Sequence, residues 1–535
     1  MEQFDVVIVG AGVAGGLTAD ALAQRGHRVL VLEAGPDEQD RDALTEIYFG
    51  APQKGFDSPY RNPVQAPKPT RTPVNDYYVQ KGPAQFGSTY ERRVGGTTWH
   101  WHGLTPRLMP ADFRMRSTYG VGLDWPISYD DLEPWYLAAE HEMGVAGDSA
   151  DDHGSPRSGD FPYPAQRQSA LDLAIKAALQ GKRIRDIELD VTAHRAARNP
   201  EICQGSGSCM PLCPTGAKYE AVTHLNRART QGAVVRPKSV ASRVVVRENG
   251  DVSSILYKTW DGEERAVAGK VFVLAANAME TPRLLLLSAA AAGGLPVANR
   301  SGQVGRNLMD HPLQLSFAVA AEPFTLYTGP QSTSVIKAFR DGPWRRSEAA
   351  FRIEIFNTGG GAFGGPDRAV ARLIDQGLTG AALRAALADA AGRELLLVGE
   401  AEQLPDPENR IVLSAGERDG LGLPKPEIHY AYDDYTTRGL AAIREVQGFV
   451  FEEMGASRIF HLPQILGSGH IMGTTRMGDD PATSVVDTDL RCHDHPNLFI
   501  VGSGVYPTGA TANPTLTIAA FALRLADHLH KGRLR

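Results

Sequence analysis

Cysteine is scarce in this sequence, with four residues in 535. So few thiols cannot staple a chain of this length, which excludes a disulfide-built scaffold. A surplus of positive charge is also missing. Against 62 aspartates and glutamates stand 55 lysines and arginines, a formal net charge of −7, so neither nucleic acid nor an anionic membrane surface is an expected partner. Nor is there an apolar run of the roughly 20 residues that a membrane-crossing helix needs; the run at residues 284–287 passes straight into a serine and a string of alanines. The opening Met1-Glu2-Gln3-Phe4-Asp5 lacks the basic start of a secretory signal, and the apolar residues behind it end in glycines. On these grounds alone the chain is expected to be intracellular, with no anchor of its own.

Glycine and proline, by contrast, are plentiful at 56 and 35 residues, beside 42% hydrophobic and 22% charged residues. That is the composition of a loop-rich α/β enzyme, and the length favours two domains over one core.

The first motif is at the start. Residues 6–9 form a short apolar strand, Gly10-Ala11-Gly12-Val13-Ala14-Gly15 turns into a helix expected to run to about Arg25 and to close at Gly26, and residues 28–32 give a second strand that ends in Glu33-Ala34-Gly35. Strand, glycine turn, helix, strand and acid stand in the order of a dinucleotide site. Gly10 permits the tight turn, Gly12 lets backbone approach a pyrophosphate, and Gly15 lets helix and strand pack closely. The helix N-terminus then faces the phosphates, and Glu33 is placed to accept from a ribose hydroxyl. A glycine turn used only for packing would not need the acid. FAD is favoured over NAD because the fingerprint begins the chain while further pieces of the site lie far downstream.

Three of the four cysteines, Cys203, Cys209 and Cys213, sit together in PEICQGSGSCMPLCPTG. Their C-x5-C-x3-C spacing is not the paired, four-ligand pattern of a zinc knuckle. It is not a standard ferredoxin run either, although Cys213-Pro214 ends as such runs do. Three thiolates suit a [3Fe–4S] cluster, or a [4Fe–4S] cluster with one open iron; the plainer alternatives are one disulfide with a spare thiol, or inert buried cysteines. A flavin takes two electrons together and a cluster passes them singly, so a chain holding both would be a dehydrogenase wired to a partner. Cys492, isolated in Arg491-Cys492-His493-Asp494-His495, reads as a structural thiol.

Alcohol oxidation needs a base for the hydroxyl proton, and neutral imidazole suits that task. His470 stands in a glycine-flanked turn that would expose its ring to a cleft. Asn513 would hold the alcohol oxygen from the other side. Each also has a bland reading: His470 as an ordinary loop histidine, and Asn513 as the N-cap, with Pro514 at the first position, of an apolar helix from residue 515 to about 530.

The chain carries, in order, RVGGTTWHWHG at 93–103, FVLAANAMETPRL at 272–284, GRNLMDHP at 305–312, GHIMGTTRMG at 469–478 and NPTLT at 513–517. On these motifs, spread over nearly its whole length, it resembles the glucose–methanol–choline (GMC) oxidoreductases. With the cysteine loop it looks most like the FAD- and iron–sulfur-containing catalytic subunit of bacterial membrane-linked glucose, fructose and polyol dehydrogenase complexes.

The resemblance implies an α/β fold: a discontinuous Rossmann-type FAD-binding domain of the GMC, pyranose-oxidase-like kind at residues 1–313 and 461–535, with an α+β substrate-binding domain inserted at 314–460. It implies His470 as base and Asn513 as its partner, and it adds Gly95, Gly96, Thr97, Ala276, Pro514 and Thr515 to the cofactor site. The N-terminus of the helix behind Asn513 would stabilise the anionic reduced flavin. It implies a covalent link from His100 to the flavin, against the rival reading of a buried ring hydrogen-bonded among Trp99 and Trp101. Cys203, Cys209 and Cys213 would hold a [3Fe–4S] cluster.

The expected partners are a sugar or polyol substrate, a cytochrome c-type subunit or quinone as electron acceptor, and a small companion subunit whose export signal would carry this one to the periplasm. The leading reading is a sugar or polyol dehydrogenase; a glucoside 3-dehydrogenase or gluconate-type dehydrogenase is the alternative within the family. An oxygen-using oxidase or a flavin-containing lyase would have no need of the cysteines, and a bare electron-transfer module no need of His470 and Asn513. Strands expected at 350–356, 395–403 and 410–414 would choose the sugar by their cleft-facing side chains, with the facing side left open.

Overall fold

The structure, a computed structural model, describes residues 1–50, 58–70, 77–294, 296–326, 328–358 and 365–534; within the expected insert, 327 and 359–364 lie outside the described residues. Val6–Ile8, Val29–Leu32 and Val271–Leu274 are buried without alternation, the mark of parallel strands covered on both faces. They form the centre of a seven-stranded sheet in the order Val234–Arg236, Val29–Leu32, Glu2–Val9, Glu264–Leu274, Val252–Thr259, Ser239–Val246, with Leu498–Ile500 also pairing along Glu264–Leu274. Register is Val6 with Val29 and Val271, and Val9 with Leu32 and Leu274. Helix Val13–Ala23 crosses over this sheet and packs on the C-terminal helix Thr515–Gly532 and on Val222–Thr230. The chain's two ends therefore meet in one core.

A second seven-stranded sheet is antiparallel: Ser457–His461, Pro312–Val319, Glu394–Ala401, Phe351–Phe356, Ser332–Ile336 and Val191–Ala193, with Leu466–Gly467 pairing at the start of Pro312–Val319. Alternation is strict on its central strands. Ile353, Ile355, Leu395 and Leu397 pack with Ile443 and Val446 of helix Asp434–Glu453. The intervening positions Arg352, Glu354 and Phe356, with Val398 and Glu400, point the other way.

Two of the three strands expected to wall the cleft, Phe351–Phe356 and Glu394–Ala401, lie in this sheet. The third does not. Arg410–Arg418 pairs with Pro424–His429 and, through it, with Val79–Lys81 in a separate three-stranded sheet beside helix Asn277–Ala291. It is drawn there by the Gly305 turn, whose carbonyl accepts from Ile411 N at 2.8 Å, and none of its residues lines the cavity described next.

Candidate active site

A cavity between the two large sheets is lined by Gly10–Ala14, Glu33, Gly96–Thr98, His100, Ala276, His470 and Asn513–Thr515 from the first sheet's side. From the second sheet it takes Leu313, Glu354, Phe356, Val398 and Glu400.

The glycine turn divides its tasks. Gly10 has φ +106°, and a Cβ there would stand 2.5 Å from the Ala275 carbonyl oxygen. At Gly15 a Cβ would meet the Gly10 carbonyl oxygen at 1.9 Å, so Gly15 serves helix-to-strand packing and does not line the cavity. A Cβ on Gly12 would meet nothing within 4 Å, which leaves open space at the helix N-terminus for a phosphate group. Glu33 holds this turn in shape: its carboxylate accepts from Ala11 N and from Gly35 N, both at 2.9 Å, while burial pushes its acid strength down, raising the pKa. These features fit a bound dinucleotide.

Gly95, expected to touch cofactor, is absent from the lining. It is the left-handed residue (φ +96°) that starts the short turn Gly96–Trp99, and a Cβ on it would lie 2.5 Å from Trp99 Nε1. Gly96 and Thr97 line the cavity. So does His100, whose Nδ1 is 3.4 Å from a Glu91 carboxylate oxygen. Although burial opposes it, Lys68 and His100 hold that carboxyl down at about 2. The neighbouring tryptophans bond elsewhere, Trp99 Nε1 to Val94 O at 2.9 Å and Trp101 Nε1 to Tyr219 O at 3.0 Å. The imidazole thus has a carboxylate at hand, and both indole N–H groups are bonded to backbone carbonyls.

Asn513 does not cap its helix. Pro514 occupies the cap position with no side-chain bond, and the Asn513 amide turns to the cavity instead. Its Nδ2 is 3.0 Å from His470 Nε2, and its Oδ1 accepts from Arg352 Nη2 at 2.6 Å. Behind His470, its Nδ1 is 2.9 Å from His311 Nδ1, and His311 Nε2 is 3.2 Å from the Gly509 carbonyl. Asp310 fixes the backbone of both histidines: its Oδ1 accepts from His311 N at 2.8 Å, from His470 N at 3.0 Å and from Ser468 Oγ at 2.7 Å, while Ser88 Oγ bonds Oδ2. Burial pushes His470 down to about 3, partly opposed by the Glu400 carboxylate. A neutral imidazole in the cavity is what a proton acceptor requires.

Arg352 also bonds Glu400 through Nε at 3.0 Å and Glu354 through Nη2 at 2.8 Å. One guanidinium is thus divided between two buried carboxylates. Burial and the Glu400 charge push Glu354 up to about 8, whereas Glu400, despite its burial, is drawn down to about 2 chiefly by Arg352.

The cysteine loop reaches this cavity through Met210, which lines it and is clamped by Gln331: Met210 N donates to Oε1 at 2.7 Å and Gln331 Nε2 returns a bond to Met210 O at 3.0 Å. All four cysteines are free; Cys209 and Cys213 are buried and Cys203 half-buried. Burial raises the Cys213 thiol, but the Lys218 backbone N–H and the Lys218 charge more than offset it, so the net shift is downward, toward thiolate. Arg41 adds a second cation, bonded to Cys213 O at 2.6 Å. Among the described residues the three sulfurs do not gather within 4.8 Å of one another. A single ion would need them to; a cluster, which takes one thiolate per iron, does not. Cys492 is buried and its thiol is pushed up to about 12 by burial, the behaviour of an inert structural thiol.

His311, Arg352, Glu354, Glu400 and Met210 are additions to the residues expected from sequence. His311 stood within the 305–312 motif without a role, and the three charges stood at alternate positions in apolar strands.

Residues 172–313 and 405–522 each match the GMC oxidoreductase family, and residues 5–43 match the FAD dependent oxidoreductase family. The chain is 37% identical to the fructose dehydrogenase large subunit of Gluconobacter japonicus, over 98% of its own length and 97% of that protein's. It is 26% identical to the 2-methyl-1,2-propanediol dehydrogenase of Mycolicibacterium austroafricanum, over 99% and 96%. Among solved structures, pyridoxine 4-oxidase from Mesorbium loti superposes with a TM-score of 0.67 at 20% identity, covering 99% of this chain and all of that one, a likeness of fold.

Proposed function

From a chain that belongs to the GMC oxidoreductases and carries their FAD-binding fold, we propose a dehydrogenase that oxidises a CH–OH group of a neutral sugar or polyol and passes the electrons to a protein or quinone acceptor. The observation that carries this reading is the His470–Asn513 pair lining one cavity with Met210 of the cysteine loop.

FAD would be held by Gly10 and Gly12, by Glu33, by Gly96, Thr97 and His100, and by Ala276, Pro514 and Thr515, and when bound it supplies the hydride acceptor. The chain's own residues do the rest. Asn513 Nδ2 and His470 Nε2 lie 3.0 Å apart, so one hydroxyl oxygen that displaces their mutual bond meets both. It accepts from the amide and gives its proton to the imidazole. The Glu400 carboxylate favours the charge that His470 then carries, and the buried setting strengthens each of these bonds by excluding water.

The wall opposite supports a neutral substrate. Glu354 and Glu400 offer acceptors for hydroxyls, and Arg352 is committed to both of them and to Asn513. The guanidiniums that line the cavity, Arg92 and Arg283, are tied to Glu280. Among the described lining residues no guanidinium is left free to pair with an aldonate carboxylate, so the gluconate-type reading is the weaker one; a glucoside oxidised at C3 remains in the proposed class. Residues 314–460 supply most of that wall and are read as the substrate-binding part.

In the finer reading, Cys203, Cys209 and Cys213 hold a [3Fe–4S] cluster, which would supply one-electron transfer to a cytochrome c-type subunit or quinone. The downward shift at Cys213 and the flanking Lys218 and Arg41 suit a negatively charged cluster. This favours a dehydrogenase over an oxygen-using oxidase or a lyase. No helix among the described residues is long and apolar enough to cross a membrane; a periplasmic place, reached through a small export subunit, is part of the proposal.

The test is anaerobic. Purified holoprotein is mixed with fructose, glucose, sorbitol, a glucoside and gluconate, and flavin absorbance is followed alongside the electron paramagnetic resonance spectrum and the iron and sulfide content. Bleaching by a neutral sugar or polyol and an oxidised [3Fe–4S] signal are expected. Bleaching by gluconate alone would overturn the substrate class, and iron-free protein with full turnover on oxygen would overturn the electron exit.

A further inference from the structure

Granting the reading of His470 as the base, we propose that His311 is a positioning residue that decides which nitrogen of His470 is protonated. A neutral imidazole has one N–H and one lone pair, and only the lone pair can accept a substrate proton. The chain of bonds through the site fixes that choice from both ends.

At one end is the Gly509 carbonyl, which can only accept. His311 Nε2, 3.2 Å away, must therefore carry the hydrogen, which leaves His311 Nδ1 as a lone pair. His470 Nδ1 faces it at 2.9 Å and must be the donor. The lone pair of His470 is then on Nε2, the nitrogen that faces Asn513.

At the other end is Arg352, whose guanidinium can only donate. The Asn513 atom 2.6 Å from Nη2 is thus the amide oxygen, so the amide nitrogen is the group turned toward His470 Nε2 at 3.0 Å. That nitrogen donates, and Nε2 must again be the acceptor. Two ends that share no atom give the same tautomer. Were either histidine to shift its proton to the other nitrogen, two like groups would face each other at a buried contact and leave a buried polar group unsatisfied.

His311 makes no contact with the cavity; it is fully buried and absent from the lining. Its effect on the reaction therefore passes through His470. The charged and titratable groups around the two rings are Glu400, Arg352, Asp310 and His102, and Asp310 already fixes both backbones. Backbone placement and proton placement are separate devices, so His311 can be altered while the loop is held.

The test begins with the wild-type holoprotein, its histidines labelled with 15N and His470 assigned by comparison with His470→Asn. The His470 Nε2 resonance should be that of a bare ring nitrogen and Nδ1 that of a protonated one. The reverse pattern would end the proposal whatever any variant does.

His311→Leu removes the acceptor at Nδ1 and leaves the Asn513 amide alone to hold the tautomer, so a share of the reverse tautomer should appear in the same spectrum. It should lower kcat by about the factor by which the bare-Nε2 population falls, roughly 2- to 10-fold for mixed tautomers, with KM changed little. His311→Asn puts an oxygen acceptor where Nδ1 stood and should restore the tautomer and most of kcat. A folded, flavin-loaded His311→Leu that keeps a bare Nε2 and wild-type kcat would overturn the proposal. Failure of the base assignment looks different: His470→Ala would then still reduce its flavin with substrate at the wild-type rate, whatever the histidine spectrum reads.

Discussion

Asn513 stands with its amide nitrogen 3.0 Å from the Nε2 of His470, at the head of a helix it does not cap. Its value is thus in the site and not in the stability of the helix. Asn513→Ala should leave the melting temperature nearly unchanged, because no cap is lost. It should lower kcat/KM by about 10²–10³-fold, the cost of removing one preorganised donor to a reacting oxygen. Steady-state rates with a dye acceptor, beside a thermal melt, separate the two. A melt that drops while kcat/KM holds would mean the amide is structural.

Burial pushes His470 down to about 3 from 6.5, and this has two consequences of the same sign. The base is neutral at every pH above that value, so the acidic limb of kcat/KM should lie well below the about 6.5 of a solvated imidazole. For stability, the unfolded chain takes up a proton at His470 before the folded one does. Stability from this group is therefore complete above 6.5 and is lost as pH falls toward the folded value. A pH–rate profile of the free enzyme and melts taken between neutral and acidic pH should both decline on the acid side. In His470→Asn the melting temperature should lose part of its acid dependence.

Much of the nucleotide-binding unit is legible in the sequence. The Gly10–Gly15 turn, Glu33 and the flanking strands form one local unit whose geometry is dictated by a few residues in sequence. His470 and Asn513, found through a resemblance, are each placed by short loops. What sequence left open depended on pairing at long range. Arg352, Glu354 and Glu400 are charges at alternate positions of two apolar strands, so their common face could be read, but whether it met water, a core or a cavity is decided by the opposite sheet. Arg410–Arg418 has a strand's pattern, and contacts distant in sequence, among them the Gly305 carbonyl and the pairing with Pro424–His429, hold it in a different sheet. Gly95 reads like its neighbour Gly96 and shares its left-handed backbone, yet it sits under Trp99 and does not line the cavity.

The glycine fingerprint makes a paired prediction. Gly15→Ala drives a Cβ to 1.9 Å from the Gly10 carbonyl oxygen, a backbone atom that cannot step aside, and should yield little folded protein. Gly12→Ala meets nothing within 4 Å, so it should fold with a wild-type circular dichroism spectrum. Its methyl would instead fill the space at the helix N-terminus, and FAD occupancy should fall by about tenfold or more, a loss of roughly 1.4 kcal/mol in binding. Flavin-to-protein absorbance ratios settle it; full occupancy in Gly12→Ala would place the phosphates elsewhere.

Glu354 is a carboxyl that burial and Glu400 push up to about 8 from 4.5. Between those values the folded protein keeps a proton that the unfolded chain has released, so the stability this group contributes is complete below the lower value and is lost as pH rises through the upper one. Glu354→Gln is nearly isosteric and cannot ionise. It should match the parent at pH below about 4.5 and melt about 2–4 °C higher in alkaline buffer. An equal shift at both pH values would mean the carboxyl does not titrate in that window. The same variant keeps an acceptor for a sugar hydroxyl, so KM for the bleaching sugar should change less than it does in Glu354→Leu.

The cysteine loop can be tested residue by residue. Cys209 and Cys213 are buried, Cys203 is half-buried, and Cys213 is drawn toward thiolate by Lys218, whereas Cys492 is buried with its thiol raised to about 12. If the three loop thiolates hold one cluster, Cys203→Ser, Cys209→Ser and Cys213→Ser should each strip most of the iron and acid-labile sulfide. Cys492→Ser should strip none. Because Met210 alone carries the loop onto the cavity wall, and Gln331 clamps its backbone at both ends, the cluster-free proteins should still bind FAD and bleach under substrate in the absence of air. Their turnover with a cytochrome c-type acceptor should collapse by about 10²-fold or more, well beyond any stability effect of one substitution. Loss of bleaching together with the iron would show that the loop builds the substrate site itself. Undiminished cytochrome reduction without iron would show that electrons leave by another route.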